Sequence, residues 1–181
     1  MTSTDHRTVA VYLDFENIHL ALCDQAGQSI NDPRDRYRKQ PRLVNLSKLL
    51  EFARGFGRVA ITRAYADWDW LGSYREDLNV AGFDLVQIFP KGHSGKNGAD
   101  IRLSLDALED LYRFPHVHTV IIIAGDSDYI ALAQKVKQTN RAIIGIGVKG
   151  NTNRFWEQNC TEFRHYCEVV GDDLPSSAPG A

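Results

Sequence analysis

Residues Thr119–Tyr129 read TVIIIAGDSDY, a run of β-branched apolar side chains that stops at Gly125-Asp126-Ser127-Asp128. A run apolar at consecutive positions belongs to a strand buried on both faces, as in a parallel sheet. Ile130, Leu132-Ala133 and Val136 then recur with helical spacing as far as Gln138. The stretch is therefore a strand-to-helix junction carrying two carboxylates. Loops at the carboxyl ends of parallel strands are where α/β proteins place their sites.

Upstream, the same grammar repeats. Val9–Leu13 (VAVYL) is a short strand ending at Asp14, and Ile18, Ala21 and Leu22 then share a helical face until Gly27 stops it. Asn45 or Ser47 caps a helix over 47–54, ended by Gly55 and Gly57, and RVAITRAYA (58–66) is the next strand. Asp67-Trp68-Asp69-Trp70 closes it, with the two tryptophans as lids on the core or as platforms for a base. A helix over 74–81 and a strand over 83–89 follow. The segment Pro90–Gly98 is too polar and Gly-rich to pack and is expected to be mobile.

Ala99-Asp100 opens a helix with Ile101, Leu105, Leu108 and Leu111-Tyr112 on one face. Asp100 lies in its first turn, where the helix dipole favours an acid, and Asp106 reads as a surface or supporting group. Strands over 117–124 and 141–148 follow, with a last one over 163–169. This alternation predicts a three-layer α/β/α sandwich around a mostly parallel sheet of five to six strands. The expected organisation is a disordered N-terminus over 1–7, one domain over 8–170, and a flexible tail or linker over 171–181 (GDDLPSSAPGA).

Composition narrows the function. With 181 residues and a net charge of −2, the chain is no globally basic nucleic-acid binder, so attraction to phosphate must be local. Its apolar runs are far shorter than the roughly 20 residues of a membrane span, and Asp14, Glu16 and Asn17 interrupt the first of them, so no signal peptide is expected. Three cysteines without a C-x-x-C pair read as reduced thiols in a cytoplasmic protein, not as a zinc site. The aperiodic segment 28–42, bracketed by Pro33 and Pro41, carries Arg34, Arg36, Arg38, Lys39 and Arg42 around Tyr37. It is either a solvated insertion or an arm that contacts phosphates and stacks a base.

Acids thus occupy three β-to-α junctions: Asp14, Asp100, and Asp126 with Asp128. In a parallel sheet these junctions share one edge, and a reversal of strand order between the first and fourth strands would make their ends neighbours. Carboxylates brought that close repel unless a cation sits among them, and an all-oxygen pocket suits Mg²⁺ or Mn²⁺. Each Asp taken singly could equally be a cap or a surface group.

The ordered set Tyr12-Leu-Asp14-x-x-Asn17, Lys96-x-Gly98-Ala-Asp100 and Gly125-Asp126-Ser127-Asp128-Tyr129 resembles the NYN domains of the PIN-like nuclease superfamily, in particular the LabA-like group. The resemblance covers Val9 to Tyr166. It implies a PIN-like Rossmannoid fold, one acidic Mg²⁺ or Mn²⁺ centre, and hydrolysis of RNA. Asp14, Asp100, Asp126 and Asp128 fall on the family's acidic positions, and Asn17 falls on its Asn, expected to orient a ligand or phosphate. Ser127, at a helix N-terminus, is expected to support the centre or touch a phosphate. Lys96 and the arginines of the 34–42 segment would hold the RNA backbone. Ala124, Tyr129 and Ala131 depart from the family's usual Ser, Phe and Pro without removing an acidic position. The resemblance also implies a winged-helix RNA-binding module beyond Ala181, and a homodimer stays open.

Two alternatives accompany the ribonuclease reading. An RNA-binding regulatory module could keep the pocket without cleaving. A phosphatase of the haloacid dehalogenase type would use Asp14 as nucleophile, but Glu16 stands where that chemistry expects a second Asp.

Overall fold

The computed structural model describes residues 7–89 and 98–171. The expectations for residues 1–6, for the 90–97 segment with Lys96, and for the tail beyond Gly171 lie outside the described residues. Arg7 is already tied to the fold, because its carbonyl accepts the Arg58 N–H at 2.8 Å.

Six strands alternate with helices: β1 (Thr8–Asp14), α1 (Phe15–Gln25), α2 (Leu46–Arg54), β2 (Arg58–Ala66), α3 (Arg75–Val80), β3 (Asp84–Gln87), α4 (Gly98–Arg113), β4 (Val117–Ile123), α5 (Ile130–Gln138), β5 (Ala142–Gly147), α6 (Arg154–Asn159), β6 (Glu162–His165) and α7 (Tyr166–Val170). Every pairing is parallel, in the order β3-β2-β1-β4-β5-β6. The architecture is the expected α/β sandwich, with all six strands parallel. The expected last strand is half as long as its apolar pattern suggests. After His165 the chain turns into α7, whose Tyr166 and Val170 are buried beside α2 residues such as Leu46 and Leu50.

Side chains alternating along β1 serve two cores. Val9, Val11 and Leu13 pack with Ile18, Leu22, Leu49 and Leu78, while Ala10 and Tyr12 pack with Leu103, Ala107, Leu132 and Trp156. Strand β1 is buried at every position, which explains why it reads as a continuous apolar run. Because the order reverses at β1, its two neighbours are β2 and β4, and Leu13 lies opposite both Ala64 and Ile123. Asp14 and the Gly125-Asp126 junction consequently leave the sheet side by side, at the position where doubly wound sheets bind ligands.

Helix α4 is turned relative to its apolar spacing. It buries Asp100, Leu103, Asp106, Ala107, Asp110 and Leu111, while Ile101, Leu105 and Tyr112 are exposed. The buried carboxylates are accommodated because tyrosines meet them. The Tyr65 hydroxyl donates to Asp106 at 3.0 Å and the Tyr12 hydroxyl to Asp110 at 2.9 Å. Arg63 closes this network with bonds to Asp110, and Arg102 binds both oxygens of Asp106. Asp106 is therefore a buried member of a neutralised network and not a surface group.

The segment over 28–42 is less loose than its composition suggests. A 3-10 turn over Pro33–Tyr37 is capped by Asp32, and buried Gln40 donates to the carbonyls of Asp35 and Arg38. Trp68 is buried as expected of a lid, with its indole N–H on the Val86 carbonyl, and Trp70 is half-buried. No disulfide joins the three cysteines. No helix among the described residues is long and apolar enough to cross a membrane.

Candidate metal centre

The site is built from the ends of β1 and β4 and the first turn of α4. Asp14 ends β1 and caps α1, its Oδ1 accepting the Asn17 N–H at 3.1 Å. Asn17 lies one turn into α1, and its Oδ1 accepts the Gly125 N–H at 2.9 Å, fastening the two junctions together. Gly125 has no room for a side chain, since a Cβ there would lie 2.9 Å from the Asn151 carbonyl oxygen. Asp126 then caps a 3-10 turn over Ser127–Tyr129, its Oδ1 accepting the Asp128 N–H at 3.3 Å. Ser127 Oγ donates to the same oxygen at 3.4 Å.

That tight turn swings Tyr129 back beneath the site. Its buried hydroxyl lies 2.7 Å from Asp14 Oδ2 and 2.8 Å from Asp100 Oδ1, and its ring packs against Trp156. A phenol has one hydrogen to donate, so both short contacts are satisfied only when the Asp14–Asp100 pair holds a proton between its carboxyls. On the open side, carboxylate oxygens of Asp100, Asp126 and Asp128 all lie within 4.8 Å of one another.

Electrostatics follow from this crowding. Burial pushes the Asp14 carboxyl up to about 8; the Tyr129 hydrogen bond opposes the rise and the Asp100 charge adds to it. Asp100 is raised too, first by burial, with the Tyr129 and Asp14 hydrogen bonds opposing and the charges of Asp126 and Asp128 reinforcing. Burial and both neighbouring carboxylates hold the Tyr129 phenol well above its ordinary value, so it stays a donor. Acids held this far above their normal range mark a place that would gain from a cation.

The donor set fits a hard divalent ion. All four side chains offer oxygen, and among the described residues neither His nor Cys joins the cluster. Asp100, Asp126 and Asp128 are positioned to share one ion, with Asp14 joined to Asp100 through Tyr129.

The other sequence-derived site residues fall in different places. Asn17 and Ser127 stand at the centre, although the Asn17 carbonyl is already engaged by Gly125. Arg34, Arg36 and Arg38 are bound to Asp32, Glu16 and Asp35, and Arg42 to Asp77. Lys39 is exposed and pairs with no carboxylate among the described residues. Glu16, which the phosphatase alternative would need beside Asp14, is held at 3.0 Å by Arg36. Tyr129 is the residue that sequence reasoning missed. The clue available was a tyrosine three residues after Asp126, where the resemblance leads one to expect phenylalanine.

An all-parallel sheet with an acidic cluster at its switch point is consistent with a PIN-like Rossmannoid fold. The NYN domain model matches residues 8–167, so the chain belongs to the NYN domain family. A protein of unknown function from Vibrio parahaemolyticus shares this fold, with a TM-score of 0.70 and 22% identity over 92% of this chain and 96% of that one. An uncharacterised protein of Methanocaldococcus jannaschii is 26% identical over 106 residues, which is 59% of this chain. The match spans 41% of that relative's length.

Proposed function

We propose that the chain is a divalent-ion-dependent ribonuclease that hydrolyses RNA phosphodiester bonds. Supporting this reading is a contrast between two acidic groups joined by α4. Asp106 and Asp110 are compensated by Arg63 and Arg102, whereas Asp14, Asp100, Asp126 and Asp128 pair with no cation among the described residues. An acidic centre with no paired cation among the described residues, next to one that has its own, is suited to an ion.

Asp14, Asp100, Asp126 and Asp128 would hold Mg²⁺ or Mn²⁺. Such an ion, when bound, lowers the pKa of a water ligand and offsets charge developing on a phosphodiester. The protein's own contribution is positional. Asn17 fixes the Gly125 amide, and Tyr129 locks Asp14 and Asp100 in register before substrate arrives. Lys96 and Lys39 are assigned to the RNA backbone, and Asn17 and Ser127 to the phosphate end of the substrate. The ion-paired Arg34, Arg36 and Arg38 would bind RNA phosphate only in exchange for their carboxylate partners.

The test is incubation of single-stranded and structured RNA with the protein and Mg²⁺ or Mn²⁺, beside Asp14→Asn and Asp126→Asn. The reading expects cleavage by the parent protein, abolished by chelator and lost in both variants. Cleavage persisting in both variants would sink it. Salt-sensitive binding without product would favour an RNA-binding module instead.

A further inference from the structure

A second cleft opens on the same sheet edge, on the other side of the first turn of α1. It has a volume of about 730 Å³ and is lined by Ile30, Arg36, Tyr37, Asp67, Asp69 and Trp70 among others. That size is typical of sites for small organic groups, roughly 300–1,000 Å³. Asp67 directly follows β2, the strand beside β1, so cleft and acidic centre leave adjacent strands. Residues of α1 stand between them. Glu16 bonds Arg36 on the cleft side, and Asn17 bonds Gly125 on the other.

We propose that this cleft binds a guanine base of the RNA, read by the Asp69 carboxylate and stacked against Tyr37 and Arg36. The inference rests on the ribonuclease reading and deepens it to a base preference.

The wall is poorly suited to phosphate. Arg36 and Arg38 are already bound to Glu16 and Asp35, and Asp32, Asp67 and Asp69 also face the cleft. A ligand that fits must bring a flat face and N–H donors. Flat surfaces are present. Tyr37 is 90% exposed, and the Arg36 guanidinium lies 5.0 Å over the Trp70 ring and is pinned by Glu16, which leaves a held cationic plane facing outward.

The acceptor is Asp69. Its side chain is 83% exposed, its sole ion pair among the described residues is a 3.5 Å contact with Arg75, and its backbone is fixed by the N–H donated to Asp67 Oδ1 at 3.1 Å. Gln87 Nε2 donates to that same Asp67 oxygen at 3.0 Å, so Asp67 positions the loop and Asp69 is free to bind. A carboxylate presents two parallel acceptors. Among the four bases, guanine alone has two adjacent donors, N1–H and the 2-amino group, on its pairing edge.

The experiment measures binding of oligouridine 11-mers carrying one central guanine, adenine or hypoxanthine, beside plain oligouridine, by fluorescence anisotropy in Ca²⁺, Mg²⁺ and Mn²⁺. The guanine oligomer is expected to bind about tenfold more tightly than the adenine one, with hypoxanthine losing most of the gain. Asp69→Asn, at an exposed position, presents an amide to the donor edge and is expected to erase the preference while leaving plain oligouridine unchanged. Tyr37→Ala is expected to weaken the guanine oligomer more than plain oligouridine. Equal binding of all oligomers, or a guanine preference that survives Asp69→Asn, would overturn the pocket alone. If no oligomer binds with any of the three ions, the ribonuclease reading and the pocket fall together.

Discussion

Replacing Asp14 by asparagine should make the chelator-treated protein more stable at neutral pH, although it removes a ligand. The folded carboxyl titrates at about 8, raised from 3.8, so the folded state holds this proton more tightly than the unfolded chain. The associated stability is complete below about pH 4 and is lost as pH rises to about 8. Each pH unit in that window is worth about 1.4 kcal/mol, giving a ceiling near 4 kcal/mol at pH 7 that falls to about 2 if Asp100 shares the proton. Asparagine carries the equivalent of the shared proton permanently. Its amide N–H₂ can donate to the Tyr129 oxygen while Tyr129 donates to Asp100, and its carbonyl can still accept from Asn17. Thermal melts in chelator from pH 4 to pH 8.5 should show near-equal midpoints at the acid end. At pH 8 the variant should lead by roughly 5–15 °C, at 2–4 °C per kcal/mol for a domain of this size. Saturating Mn²⁺ should narrow this gap, since an ion at about 100 times its Kd adds about 2.7 kcal/mol to the protein that binds it. A variant that melts below the parent in chelator at pH 8, or a gap that ignores pH, would refute this account of the centre.

Other perturbations probe different parts of the argument. Tyr129→Phe removes the donor shared by two buried carboxyls and should cost about 1–3 kcal/mol in denaturant melts, with a weaker Mn²⁺-induced shift. Gly145→Ala would bring a Cβ within 2.6 Å of Cys160 Sγ and of the Phe163 ring, and overpacking of this kind should destabilise by about 1–3 kcal/mol without changing ion affinity in a titration. Leu105→Glu lies on the exposed side of α4 and should shift stability by no more than about 0.5 kcal/mol. If sedimentation shows the parent protein to be a dimer that this change dissociates, the exposed stripe is its contact face.

What could be read from the sequence was whatever depended on local pattern. The strand runs around Asp14 and Asp126 stop where their apolar residues stop, and Arg58–Ala66 matches its strand at both ends. The adjacency of β1 and β4 required only that a parallel sheet reverse its order once. Helix α4 was harder to orient. Ile101, Leu105 and Leu108 have the spacing of a core face, but the side facing the sheet carries Asp106 and Asp110 because Tyr65 and Tyr12 wait there to meet them. A hydropathy pattern counts an aspartate as polar whether or not a tyrosine from a distant strand will satisfy it. The arginines over 34–42 posed the same problem. Their partners Glu16 and Asp77 come from other elements, so a segment that reads as basic is largely neutralised. Tyr129 was invisible for a related reason: its role depends on a 3-10 turn aiming a phenol between two acids that arrive from distant parts of the chain.

The division of the acidic centre along the chain also bears on how it forms. Asp14 is delivered by β1, whereas Asp100, Asp126 and Asp128 come from the second half, and the two join through the parallel register that sets Val9 opposite Thr119. Parallel pairing across about 110 residues is a high-contact-order step, slow to close and without reward until it does. Helices α1 and α2 can begin to form early, yet no contiguous fragment short of that closure holds all four carboxylates. The complete four-carboxylate centre therefore appears late, and a cation that binds it would pull folding toward completion. Refolding monitored with and without Mn²⁺ would register this as slower unfolding and little change in the folding rate.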